Sequence, residues 1–398
     1  MNAPHASKAT FAAGLALFAG FSVLFVGGGS RFAIGLTFKP IVDQFDWDRS
    51  DLGLSVAAFQ IVSAITMFLA GFAADRVGPR PILIAGMLIS AAGIGFMATI
   101  AAPWHALVLY GVIFAIGNGA ASVIPVGVMV TRTFPNRTGL ANSIAVSGMS
   151  LGQLFMIGSL AAVLVNLSWQ TVFILLGAAH LLIIPLLFWT IPNRQAGFSA
   201  LRPADGLSVA EAARNPKFWT LLAIYAICGF DDFFVSTHVV AFAQDRGLAT
   251  LFAGNLLALM GLTALLGVFA AGALSDRLGP GWPTAASFVA RILAFGLLMI
   301  DQSAVSVALF ALIFGATFLV TAPLTVLFVS DIFGLRHLGS LTGVITLVHH
   351  MSGAAGAYLG SAVFDLTGSY DVVFPIMLGS SVLALVLTWP LMNSRARR

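Results

Sequence analysis

The chain has 398 residues, of which 59% are hydrophobic and only 9% charged, at a mean hydropathy of +1.00. That balance lies far outside the range of soluble domains and excludes a water-soluble globule. A net charge of +4 would suggest nucleic acid in a soluble protein, but here the placement of the charges decides their meaning, and no nucleic-acid partner is expected.

Apolar runs of about 20 residues, enough to cross about 30 Å of hydrocarbon, recur twelve times between short polar breaks. In chain order they cover 11–38, 50–74, 81–102, 105–130, 138–165, 169–191, 217–243, 250–274, 283–300, 303–330, 338–364 and 371–392. Residues 1–10 are too polar to open a cleaved signal and the first run is too long for a signal core, so no processing is expected.

The first run contains Gly27, Gly28 and Gly29, which follow no strand and read as a helix-packing surface rather than a phosphate cradle. Arg31 lies eight residues before Lys39, about 12 Å inside the run at about 1.5 Å per residue. A charge near the bilayer centre costs at least about 2.5 kcal/mol unless it is paired or faces water, so Arg31 requires an acidic or anionic companion. The second run ends in GFAADRVGPR (71–80), a charged turn. There Gly71 and Gly78 would permit close approach, Asp75 could cap a helix N-terminus, and Arg76 and Arg80 could bridge to the opposite bundle. In the fourth run Asn118 sits between Gly117 and Gly119 as a neutral hydrogen-bonding candidate, while Gln60, Asn142, Gln153 and Asn255 read as contacts between helices.

The longest polar stretch, 192–216, carries Pro192, Arg194, Arg202, Pro203, Asp205, Glu211 and Arg214. It reads as a linker between a six-helix bundle at 1–191 and a second at 217–398. In the seventh run Asp231 and His238, seven apart, share a helical face, and Asp232 is turned about 100° away. Histidine titrates near neutrality and a buried aspartate resists ionisation, so this helix is the candidate for moving protons. Cys228, the single cysteine, is expected to be a small packing residue and rules out an intramolecular disulfide. The eighth run ends in GALSDRLGP (272–280), so Gly272, Asp276, Arg277 and Gly279 repeat the earlier turn, with Asp276 lying 201 positions after Asp75. Two copies at matched places indicate duplicated halves. The same offset carries Arg31 onto Asp232, an ion pair that substrate and proton would compete to break. In the eleventh run His349 and His350 precede Gly353, Gly356 and Gly360, whose spacing suggests one closely packed face. One histidine should point inward, and His350 is taken as the substrate contact.

Assigning alternate loops to opposite sides puts 14 of the 19 Lys and Arg residues with both termini, which makes that side cytoplasmic. Kinase, hydrolase and metal-ligand signatures are missing, so neither an enzyme nor a metal or other cofactor is expected.

A Gly-x-x-x-Asp-Arg-x-Gly turn in both halves of a twelve-helix chain resembles the major facilitator superfamily over its whole length. The resemblance implies an all-α membrane protein with twelve transmembrane helices in two pseudo-symmetric six-helix bundles. The two turns would then act as a conformational latch. Helices 3, 6, 9 and 12 are usually peripheral there, which implies structural roles for His180 and Arg291. The blocks VGGGSRFAIGLTFKPIVDQFDWDRSDLG (26–53), TRTFPNRTGLANSIAVSGMSLG (131–152) and STHVVAFAQDRGL (236–248) are similar to bacterial members of the monocarboxylate transporter and oxalate/formate exchanger branch. Such carriers move small organic anions, many with a proton. The branch's helix-8 arginine has no counterpart in ALLGVFAAG (264–272), whereas its basic residue in helix 1 falls near Arg31 and that of the exchangers in helix 11 near His350.

The expected activity is proton-linked movement of a small organic acid by alternating access. Arg31 would contact the anion, Asn118, His350 and His238 would orient it, and Asp231, Asp232 and His238 would couple the proton. A monomer in the inner (plasma) membrane is expected, with lipid, protons and the organic acid as partners. The alternatives are proton-driven efflux of a neutral or cationic molecule and a non-transporting sensor. The first usually carries a helix-4 arginine, where this chain has IFAIGNG (113–119), and a helix-5 Gly-Pro, where it has SGMSLGQ (147–153). The second normally needs a signalling segment that the short tails do not provide.

Overall fold

In a membrane interior no water satisfies backbone amides, so apolar segments are driven to close their hydrogen bonds within helices. The computed structural model describes residues 3–134, 138–191, 206–334 and 337–392, and these are almost entirely helical. In chain order the helices are α1 (Ala3–Phe45), α2 (Arg49–Val77), α3 (Pro79–Phe96), α4 (Pro103–Ala106), α5 (Ala115–Ala120), α6 (Val123–Thr133), α7 (Thr138–Gly152), α8 (Gly158–Asn166) and α9 (Trp169–Thr190). They continue with α10 (Val209–Ala212), α11 (Pro216–Asp245), α12 (Thr250–Leu278), α13 (Gly281–Ile300), α14 (Ala304–Phe318), α15 (Thr321–Phe333), α16 (Leu338–Thr367) and α17 (Val373–Thr388). A π-helical stretch, Leu107–Phe114, joins α4 to α5, and another, Gln153–Ile157, joins α7 to α8. Of the expected linker, residues 192–205 lie outside the described residues. The described chain resumes at Gly206; the N–H of Leu207 donates to Phe333 O, and a capping box of Ser208 and Glu211 opens α10.

Among the described residues, eleven helical stretches are long and apolar enough to cross a membrane. The remaining expected span, the eleventh at 338–364, coincides with α16, which is 30 residues long but is diluted by His349, His350 and its glycines, so its length rather than its hydropathy marks it.

The fourth and tenth expected spans are not continuous. The fourth breaks at Ala121–Ser122 and the tenth at Leu319–Val320. Pro125 and Pro323 follow these breaks, and a proline lacks the N–H for a helical bond and clashes with the carbonyl four residues back. The breaks thus fall at corresponding places in the two repeats.

The repeated turn also shows its two copies. Gly78 and Gly279 have φ of 89° and 87°, and each donates its N–H to a carbonyl four residues back, Ala74 and Ser275. Gly78 was expected to serve close approach. A Cβ there would meet nothing within 4 Å, so its backbone angle is what demands glycine. Gly71 is the position of close approach, with Ile124 2.7 Å from a Cβ built there, whereas Gly272 faces open space. Arg80 lies over the Phe188 ring, 5.0 Å from its centroid, and Arg76 and Arg277 are exposed.

The chain divides into two compact units, Met1–Trp47 with Leu54–Phe198 and Asp48–Gly53 with Ser199–Arg398. The first packs a core of Val23, Leu24, Met87, Met129 and Leu187. The second packs one of Phe218, Phe288, Phe328 and Ile345.

Candidate functional site

In the first unit the expected residues gather around α1. Arg31 is half-buried and its Nη2 reaches Gln60 Oε1 at 3.5 Å. The carbonyl of Arg31 accepts from Tyr110 Oη at 2.9 Å, and Tyr110 belongs to the π-helical stretch, where it stacks on Phe59 at 4.9 Å. Asn118 Nδ2 donates to the carbonyl of Gly27 at 3.3 Å. A Cβ at Gly28 would strike the backbone of Met149, so that glycine serves packing against α7, as expected.

The second unit encloses a cluster of charges sealed from solvent. Arg291 on α13 has a side chain with no solvent exposure, and Asp231 and Asp232 on α11 are equally enclosed. Arg291 Nη2 donates to Asp232 Oδ1 at 2.6 Å, while its Nη1 stands 3.8 Å from Asp231 Oδ2. Its other two nitrogens are hydrogen-bonded as well: Nε reaches Thr317 Oγ1 at 3.1 Å, and Nη1 reaches the carbonyl of Cys228 at 3.4 Å. The guanidinium lies 4.8 Å from the centroid of Phe314. Thr317 sits at the end of α14, beside the break before α15, so the interrupted helix supplies polar groups at this depth. Tyr225 Oη caps the other side of that break by donating to Thr321 O at 2.9 Å.

Asp232 Oδ2 is met by Cys228 Sγ and by His349 Nε2, both at 3.3 Å. Asp231 belongs to a separate cradle: Ser380 Oγ lies 3.1 Å from Oδ1, and Ser381 Oγ lies 3.0 Å from Oδ2, both serines coming from α17. Tight contact between α11 and α16 brings these groups together. A Cβ at Gly229 would collide with the carbonyl of His349, and one at Gly356 with the carbonyl of Phe230. Cys228, Asp232 and His349 place their ligand atoms within 4.8 Å of one another, a spacing a metal ion could bridge. Arg291 already supplies the positive charge to Asp232, so the three read as one hydrogen-bonded corner of the ion-pair network.

Several expected residues are arranged differently from their expected roles. Asp232, which the repeat offset matched to Arg31, has Arg291 as its close cation, because the long side chain of Arg291 reaches from α13 to the carboxylate on α11 within the unit. His349 rather than His350 reaches Asp232; His350 Nδ1 pairs with Thr346 O at 2.9 Å in its own helix, and its ring lies 5.4 Å from that of Phe233. His238 is fully buried in a second network. Its Nε2 lies 2.8 Å from Ala357 O, which can only accept, so Nδ1 accepts from Tyr370 Oη at 3.0 Å. Burial raises the Tyr370 phenol well above its ordinary range, which keeps that hydrogen in place. Tyr370 Oη in turn accepts from Arg49, which clusters with the second unit and grips Asp245 through both carboxylate oxygens at 2.8 and 2.7 Å. The side chains of Asp75 and Asp276 lie outside the described residues.

Sequence reasoning passed over Arg291, Ser380, Ser381 and His349 as site residues. An arginine inside an apolar run was the available signal for the first, and nothing in the sequence distinguished the serines.

A family model described as the Major Facilitator Superfamily matches residues 20–356 and, in a second match, 221–398. The chain belongs to the Major Facilitator Superfamily. It is therefore a multi-pass membrane transporter rather than an enzyme. Within the superfamily it is 26% identical over 373 residues to the uncharacterized MFS-type transporter YcxA of Bacillus subtilis, covering 90% of each chain. It is 23% identical to monocarboxylate transporter 13 of Rattus norvegicus, over 88% of this chain and 82% of that one. Among solved structures, a bacterial homolog of the human lysosomal transporter Spinster, in an inward-facing and unoccupied conformation, superposes with a TM-score of 0.73. It shares 16% identity and covers 96% of this chain and 98% of its own. That likeness establishes the superfamily fold.

Proposed function

We propose that this superfamily member moves a small organic anion together with a proton by alternating access. The observation that carries the reading is the charge count of the buried centre, where one guanidinium, Arg291, serves two enclosed carboxylates, Asp231 and Asp232. An uncompensated buried charge is costly, so the surplus negative charge calls for a proton at some stage of the cycle. Similarity to a relative named as a monocarboxylate transporter supports an organic acid as the substrate. Arg31 is the anion contact in this reading, since a guanidinium offers paired, charge-assisted donors to a carboxylate. Asn118 and His350 orient the ligand. The turns at 71–80 and 272–280 act as the latch between states, and both termini face the cytoplasm of a bacterial-type plasma membrane.

The test is uptake of labelled mono- and dicarboxylates into proteoliposomes, with and without an inward proton gradient. Gradient-dependent accumulation that Arg31→Ala abolishes supports the reading. Extrusion of lipophilic dyes with no accumulation of any acid overturns it in favour of efflux.

A further inference from the structure

We propose that Asp231, Ser380 and Ser381 form the proton-binding site of this protein, with Arg291 dividing the work by holding Asp232 ionised. The inference rests on the proton-linked reading above and assigns its proton to one carboxylate and to two serines of α17.

The hydrogen-bond inventory separates the two aspartates. Asp232 Oδ1 receives Arg291 Nη2–H at 2.6 Å, a contact whose charge assistance is largest for a carboxylate acceptor. Arg291 Nη1 is 3.8 Å from Asp231 Oδ2, beyond hydrogen-bonding distance. Asp231 therefore shares the field of the guanidinium without occupying one of its donors.

The serines give Asp231 a complete set of partners in either state. When Asp231 is ionised, Ser380 Oγ–H donates to Oδ1 and Ser381 Oγ–H donates to Oδ2, over 3.1 and 3.0 Å. Ser380 Oγ also lies 2.8 Å from the carbonyl of Met377. When a proton binds Asp231 Oδ1, Ser380 turns its single hydrogen onto Met377 O, and its oxygen then accepts from the new Oδ1–H. One hydrogen rotates about one C–O bond, no heavy atom moves, and no donor is stranded. The carboxylate gains one proton and loses one unit of negative charge, which balances Arg291 against Asp232 alone.

Asp232 has no equivalent freedom. Among the described residues, the titratable and charged groups facing the pair are Cys228 on α11, Arg291 on α13 and His349 on α16; all three contact Asp232 or the Cys228 carbonyl, and of them Arg291 alone also stands near Asp231, at 3.8 Å. From α17 only the two serines face Asp231.

Infrared difference spectroscopy of the purified protein between acidic and alkaline buffers reads the site without knowledge of the substrate. The wild type is expected to show one buried carboxylic-acid C=O band that vanishes in Asp231→Asn, whereas in Asp232→Asn it remains but forms only at lower pH, because Asp231 is then the counter-charge left to Arg291. Ser380→Ala keeps the band but moves it to higher frequency, because the acid hydroxyl loses its acceptor. Ser381→Ala removes a donor from the ionised form, so the band's midpoint rises by about half to one pH unit. A band that survives in Asp231→Asn, one indifferent to both serine variants, or no titrating carboxylic-acid band in the wild type overturns the proposal. If the band behaves as expected while no organic acid accumulates in proteoliposomes, the substrate reading fails and the proton site stands.

Discussion

Arg291 Nη2 and Asp232 Oδ1 lie 2.6 Å apart, with both side chains shut off from solvent, on two helices, although the residues stand 59 positions apart in the sequence. Removing one partner of such a pair leaves the other charged and unsolvated, a loss of about 3–5 kcal/mol. Arg291→Met should therefore lower the melting temperature in detergent sharply. Replacing both partners with apolar residues, as in Arg291→Met with Asp232→Leu, should recover much of that loss, because the uncompensated charge is gone. Thermal denaturation of the two single variants and the double variant gives the coupling. Simple additivity would show that the pair contributes nothing as a pair.

Cys228 supplies a second check on the same corner, since it is the single cysteine and is fully buried. A maleimide should label the native protein negligibly and the denatured protein stoichiometrically. Rapid native labelling would mean that the corner formed by Cys228, Asp232 and His349 opens to water. Labelling that accelerates in Arg291→Met would tie the opening to loss of the guanidinium.

The apolar runs made the helical architecture legible because crossing a bilayer fixes both length and composition. Position 78 could be read as glycine-requiring, but the sequence did not reveal that backbone angle rather than crowding is the cause. The helix breaks before Pro125 and Pro323 left a visible mark, yet each lies inside an apolar run whose hydropathy alone reads as continuous. The charged centre was harder. Asp231 and Asp232 stood out as carboxylates stranded in hydrocarbon, whereas the choice between His349 and His350 depends on the rotation of α16, which adjacent histidines leave ambiguous by about 100°. Ser380 and Ser381 resemble the small residues any membrane helix carries, and only the packing of α17 beside α11 reveals their carboxylate.

Glycine positions make a graded prediction about helix approach. Gly229→Ala and Gly356→Ala each force a methyl group into a backbone carbonyl of the partner helix, and overpacking of this kind costs about 1–3 kcal/mol. Gly272→Ala, where a Cβ meets nothing within 4 Å, should be close to neutral and serves as the control. Gly279→Ala is destabilising for a different reason, since a φ of 87° suits few side-chain-bearing residues, at about 1–2 kcal/mol. Melting temperatures in one detergent rank the four variants, and equal losses at 229 and 272 would contradict the close packing of α11 on α16.

Outside the spans, Asp301 precedes α14 and supports its first turn through Ser303 and Ser306. The Ser303 hydroxyl bond, followed by that of Ser306, holds the Asp301 carboxyl below its ordinary value of 3.8. A carboxyl whose value is depressed by folding contributes its stabilisation above the unfolded value and loses it as pH falls through the folded one. Acidification below the ordinary aspartate range should therefore loosen the start of α14 in the wild type, and Asp301→Asn should make that segment insensitive to pH. Hydrogen exchange of the amides of Val305, Ser306 and Val307 reports this directly. Because the carboxylate is exposed, the change should be confined to that first turn, so a variant that altered exchange throughout α14 would show that Asp301 does more than support the Ser303 cap.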